Sequence, residues 1–188
     1  MMPDEPEVLG LLGLMLLLHS RRAARTTHRG ELVPLPQQDR SLWDHELIKE
    51  GQALVKRCLR QDQPGPYQLQ AAINAVHSDA ATAAQTDWNQ ILALYDQLLM
   101  FTPTAVAALN RAVAAAEVHG PRHALDLIDE LPLAEYYLYH AIRADLLRRA
   151  GQPHEATAAY QAAIDRTQNA AEIAFLKQRI QTLSQPAR

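Results

Sequence analysis

The sequence predicts an all-α fold, a tetratricopeptide-like array of antiparallel helix pairs with about nine helices, and three observations lead there. Apolar residues make up 48% of the 188 positions but aromatics only 5%, with Ala and Leu dominant. Those two residues carry the lowest helix cost, and Ala lets helix backbones approach closely. No Val/Ile/Thr-rich alternating run of the kind a half-buried strand needs occurs. Proline and glycine fall at intervals that end one helix and begin the next.

Each element follows from local signals. The first helix is expected over 4–25. Its apolar run from Leu9 to Leu18, interrupted only by Gly10 and Gly13, is too short to span a bilayer. Asp4, Glu5 and Glu7 precede the run and Arg21, Arg22 and Arg25 follow it. That order is wrong for a secretory leader but suits a helix macrodipole, so the segment reads as a buried helix with Pro6 in its first turn. The chain opens almost directly into this helix, and the expectation is a piece of something longer. A loop with Gly30, Pro34 and Pro36 leads to a second helix over 41–60. Ser41 is its expected N-cap, and Leu42, Trp43, Leu47, Ile48, Leu54 and Val55 form its apolar face. Pro64-Gly65-Pro66 precedes a third helix over 66–80. Further helices are expected over 87–101, 104–118, 121–131, 134–150, 153–166 and 170–184, with breaks at Pro103, Gly120-Pro121, Pro132 and Gly151-Gln152-Pro153. The N-terminal segment 1–85 and the remainder, 86–188, are expected to pack as one continuous domain.

The second half repeats. Arg111-Ala112 and Arg143-Ala144 stand 32 residues apart, as do Ala124 and Ala156, and Ile128 and Tyr160; Tyr95 precedes Ile128 by 33. A small residue where paired helices touch, a large one four positions later and then a proline, at a period near 34, form the tetratricopeptide signature. The clearest single repeat runs from Ala144 to Ala163, with Gly151, Ala156 and Tyr160 in place. Stacked helix pairs make a curved surface suited to holding a protein segment.

Composition and motifs exclude much chemistry. Net charge is −3, which gives no reason to expect DNA binding by the domain alone. Cys58 is the lone cysteine, so there is no intramolecular disulfide and no cysteine-built zinc site. It fits a reducing cytoplasm, as a small core residue. Among eight histidines, His119 and His123 are four apart, but Gly120-Pro121 breaks the helix between them. His77 and His140 have no ligand partner at helical spacing. Phosphate-loop, dinucleotide, nucleophile-elbow and zinc-protease motifs are all missing. Asp44, Glu46 and Glu50 read as a solvated helix face. The expectation is a chain with no catalytic residues, metal or cofactor.

Three features stand apart. Gln38, Asp39, Arg40 and Trp43 lie where a loop enters a helix: Asp39 is a local cap or ion partner and Trp43 a core residue, or together they form a docking site, since aromatic and Arg anchors favour interfaces. Pro64-Gly65-Pro66 builds a rigid turn from which Tyr67 and Gln70 project one helical turn apart. Asn110 and Arg111 interrupt an apolar helix and must either reach solvent or hold a specific network.

The strings Gln-Asp-Arg-Ser-x-Trp-Asp at 38–44, Pro-Gly-Pro-Tyr-Gln-Leu-Gln-Ala-Ala-Ile at 64–73, Thr-Asp-Trp at 86–88 and Ala-Leu-Asn-Arg-Ala-Val-Ala at 108–114 carry a resemblance. So do the opening Pro-Asp-Glu-Pro-Glu-Val-Leu-Gly-Leu-Leu and the Arg-Ala-Asp-Leu-Leu-Arg-Arg run at 143–149. In this order they resemble the C-terminal tetratricopeptide-like extension of bacterial extracytoplasmic-function (ECF) σ factors. The resemblance implies a cytoplasmic regulatory extension that docks on σ core domains, RNA polymerase or a regulator, with Asp39-Arg40 as its characteristic mark. The two promoter-binding σ domains are absent from this sequence, so DNA would be reached only through them. A stand-alone tetratricopeptide-like adaptor is the alternative that the repeat pattern itself leaves open.

Overall fold

The computed structural model describes residues 5–184, and among them the regular structure is helical throughout: α1 (Pro6–His19), α2 (His45–Leu59), α3 (Pro66–Asp79), α4 (Trp88–Phe101), α5 (Ala105–His119), α6 (Pro121–Ile128), α7 (Tyr137–Arg149), α8 (Pro153–Ile164) and α9 (Ala170–Leu183). The expected all-α array is therefore present, with four short 3-10 turns in its loops. Several boundaries differ from expectation for identifiable reasons. The first helix stops at His19 and hands over to a 3-10 turn at Arg22–Ala24. The second begins at His45, because Asp44 and not Ser41 is its N-cap: the Asp44 carboxylate accepts from the Glu46 and Leu47 N–H groups. α6 ends at Ile128 and α7 starts only at Tyr137, which leaves the Pro132 region as a longer turn. No described helix is long and apolar enough to cross a membrane.

The chain divides into two compact units, Met1–Arg29 with Val33–Pro103 and Gly30–Leu32 with Thr104–Arg188. α4 thus goes with the N-terminal helices, whereas the sequence pattern placed the division between 85 and 86.

In the first unit α1 packs against both α2 and α3, and α3 also packs against α2 and α4. The glycines that interrupt the apolar run of α1 mark its crossings. A Cβ on Gly10 would meet the Cγ and backbone N of Gln68 at 2.7 Å, and Gly13 faces Gly51 across the α1–α2 contact. Leu14, Leu17, Ala24, Trp43, Ile48, Val55 and Ala71 fill the core around these crossings.

The second unit is the repeat. Each helix from α5 to α9 packs on the next, and α5 also reaches α7. Ala112, Ala124, Ile128, Ala144, Ala156 and Tyr160 are all buried in one core, as the expected register requires. Gly151 ends α7 at φ +80°, a left-handed conformation that glycine adopts without strain. Ties also recur at the repeat spacing: Arg149 pairs with Glu117 at 2.6 Å, and Arg166 Nε donates to the Ala134 carbonyl at 2.7 Å.

Candidate functional site

The Gln38–Asp44 string forms a corner at the C-terminal end of α3. Asp39 caps a one-turn 3-10 helix, Arg40–Leu42, by accepting from the Ser41 N–H at 2.9 Å and the Ser41 hydroxyl at 2.7 Å. This turn aims Arg40 across to α3, where its Nη1 donates to the carbonyls of His77 and Ala80, both at 2.7 Å. The last carbonyls of a helix have no partner within it and carry the negative end of the macrodipole, so a guanidinium is well matched to them. The same guanidinium lies 4.4 Å over the Trp43 ring. Trp43 is only 4% exposed, and its indole N–H has no hydrogen-bond acceptor among the described residues. Arg21 contacts that ring as well, at 5.9 Å, and its Nη2 donates to Asn74 Oδ1 at 2.6 Å. The Gln38 amide donates to the Val33 carbonyl, and the Asp44 N–H donates to the Ser20 carbonyl, which fastens the corner to the end of α1.

Charge is concentrated here. Arg21 is 6% exposed. Its pKa is pushed down to about 10, first by burial and then by the neighbouring Arg25 and Arg40 guanidiniums. Burial lowers Arg40 too. His77 sits among these groups with its ring 5.2 Å from Trp88, edge to face. Burial, then the charges of Arg21 and Arg40, push it down to about 4, so it is neutral at physiological pH. Asp39 is held below the usual carboxylate range by its two bonds from Ser41 and remains exposed.

The opposite end of α3 is capped from a distance. Its N-cap is Gly65 and its first residue Pro66, so no local side chain satisfies its first N–H groups. Glu7 of α1 does so: its carboxylate accepts from the Tyr67 N–H at 3.0 Å, the Gln68 N–H at 3.2 Å and the Gln68 side-chain amide at 3.1 Å. α3 is thereby gripped at both ends, and by the very strings that stand out in the sequence. The opening string and 64–73 meet at its start; 38–44 and 86–88 meet at its finish.

The sequence-predicted residues consequently separate. Arg40 and Trp43 are spent on the fold: Trp43 is core rather than a surface anchor, and Arg40 is a half-buried clamp. Gln38 is half-buried, while Gln70 folds its amide back onto the Pro66 carbonyl at 3.3 Å instead of projecting. Asp39 and Tyr67 remain exposed on rigid supports, Tyr67 with 44% of its surface open. Asn110, exposed, and Arg111, half-buried, lie on α5 in the second unit. Glu7 and Arg21 stand out in the sequence only as charges flanking the first helix and His77 only as an isolated histidine, and Asn74 does not stand out at all. A proline-glycine entry to α3 with no capping side chain was the available signal for Glu7. Arg21 gave none, since basic residues after an apolar helix ordinarily face water. The helix breaks between His119 and His123 as expected, α5 ending at His119 and α6 beginning at Pro121, and the two rings approach edge-on at 5.2 Å across the turn. The turn reverses the chain and carries α6 back beside α5. No group of three or more His, Cys, Asp or Glu side chains is placed to hold a metal among the described residues.

An uncharacterized protein of Rhizobium meliloti (strain 1021) is 42% identical over 184 residues. That match takes in 97% of this chain and both compact units, but only 44% of the relative, so the chain spans less than half of the relative's length. No solved structure matches the chain. Residues 1–59, which supply α1, α2 and the Arg40 corner between them, match the model of a family described as a family of unknown function (DUF6596).

Proposed function

We propose that this chain is the regulatory extension of an ECF-type σ factor, a non-enzymatic cytoplasmic module that modulates transcription initiation by docking on σ core domains, polymerase or a regulator. The observation that carries this reading is the ordered set of strings at 38–44, 64–73, 86–88 and 108–114, whose resemblance to such extensions runs through both units. Three observations are compatible with it. Each helix of the second unit packs on the next, an arrangement that repeat scaffolds use to hold protein segments. Asp39 and Tyr67 are presented rigidly at the two ends of one clamped helix. The 42% identical relative is more than twice as long, which leaves room for further domains in a protein of this kind.

The test is promoter-specific transcription by a full-length σ factor carrying this extension. Asp39→Ala combined with Tyr67→Ala should change transcript yield about tenfold, equivalent to about 1.4 kcal/mol on a coupling equilibrium. Because Asp39 also caps the 3-10 turn, the same changes should lower the melting temperature by a few degrees at most and leave the helical spectrum intact. Arg40 is excluded from this test because its loss would damage the fold. Unchanged transcription with an intact fold would remove Asp39 and Tyr67 from the docking surface. A stand-alone adaptor, which the repeat also allows, would show no effect on transcription from any σ-dependent promoter.

A further inference from the structure

α1 buries one side and leaves the other open. Leu9, Gly10, Gly13, Leu14 and Leu17 face the core, while Val8, Leu11, Leu12, Met15 and Leu18 are 53, 37, 43, 58 and 37% exposed. At 100° per residue the five open side chains fall within one continuous stripe on the face opposite the core. Isolated exposed apolar residues need no explanation, but a contiguous stripe along a whole helix marks an interaction surface.

The ends of the stripe define what it accepts. Glu5 is exposed at its N-terminal end; Arg22 and Arg25 are exposed just beyond its C-terminal end. A second helix laid antiparallel along α1 therefore needs base where it meets Glu5, acid where it meets the arginines, and apolar residues between. α1 itself has that pattern. About a two-fold axis near Gly13, position 8 falls opposite 18 and position 11 opposite 15, and Glu5 comes beside the exposed Arg22, Arg21 being buried against Trp43 and Asn74. Apolar meets apolar and acid meets base at both ends. An isologous interface demands this self-complementarity, and antiparallel packing also opposes the two helix dipoles favourably.

We infer that α1 is a self-association surface, on which a second copy of this chain seats its own α1 in antiparallel orientation. The inference does not depend on the σ-factor reading. One helix per copy is a small interface, so the dimer exchanges with monomer on dilution.

Sedimentation equilibrium of the purified 188-residue chain over a wide concentration range reads this directly. The expected result is a reversible monomer–dimer equilibrium that weakens with added salt. Met15→Glu places a charge at an already exposed helical position, so it should preserve the circular dichroism spectrum while weakening dimerisation at least tenfold. Glu5→Arg should weaken it also, and Glu5→Arg combined with Arg22→Glu should restore it. A chain that stays monomeric up to about millimolar concentration overturns the inference and leaves the stripe to a different partner. A dimer insensitive to Met15→Glu overturns it as well, by placing the interface elsewhere. Failure of the double charge exchange to restore a weakened dimer would rule out the antiparallel register.

Discussion

Arg40 shows how one side chain can be both a sequence landmark and a structural part. Its Nη1 satisfies two terminal carbonyls of α3 while the guanidinium covers Trp43. Arg40→Ala should therefore cost about 2 kcal/mol from the lost charged hydrogen bonds and cation–π contact, read as a lower midpoint in urea. Arg40→Lys should recover only part of this, because an ammonium cannot bridge both carbonyls and lie flat on the indole. His77 makes the same corner sensitive to pH. Its folded value of about 4 lies below the ordinary 6.5, so the unfolded chain takes up the proton first as pH falls. This contribution to stability is complete above about pH 6.5 and is lost progressively down to about 4, a change on the order of 2–3 kcal/mol. His77→Gln should flatten that part of the stability profile relative to wild type, as measured by urea unfolding at a series of pH values. The sequence made Asp39-Arg40 conspicuous but left open what Arg40 holds. Its acceptors lie 37 and 40 residues away and are backbone atoms, which no side-chain pattern encodes.

At the level of elements, helix positions were legible because proline, glycine and apolar period punctuate this chain so regularly. Ends were less so where two capping residues competed. Ser41 and Asp44 both precede an apolar run, and the 3-10 turn capped by Asp39 decides for Asp44. The glycines of α1 read in sequence as interruptions, whereas their role is to let α2 and α3 approach. Gly10→Ala should be destabilising by about 1–3 kcal/mol despite the better helix propensity of alanine, because its Cβ would strike the α3 backbone. Chemical denaturation decides the sign. Glu7→Ala should cost about 1–2 kcal/mol by leaving the first N–H groups of α3 without an acceptor. In the repeat, Ala156 has no exposed surface in the α7–α8 core. Ala156→Trp should lower stability by about 1–3 kcal/mol or more through overpacking, and a neutral outcome would mean that the helices tolerate a wider spacing than the repeat register implies.

For the molecule as a whole, the repeat was the most legible part, since its register can be counted along the chain and Ala112, Ala124, Ile128, Ala144, Ala156, Tyr160 and Ala163 fill one core as counted, whereas Tyr95, counted with them, lies on α4 in the first unit. The first unit was less so. Its organisation rests on contacts between α1 and residues some 60 positions away, and a three-helix core around α1 has no period to reveal it. The grouping of α4 with that unit follows from its packing on α3, again a long-range matter. The proposed function belongs to this scale, because it concerns a scaffold that acts on domains outside its own fold. The most direct measurement is calorimetric titration of the 188-residue chain into separately expressed core domains of an ECF-type σ factor that carries such an extension. The account predicts saturable binding at micromolar concentration or tighter, weakened at least tenfold by Asp39→Ala with Tyr67→Ala in a chain whose helical spectrum is unchanged. A folded chain that releases no heat and leaves the σ domains unbound would contradict it.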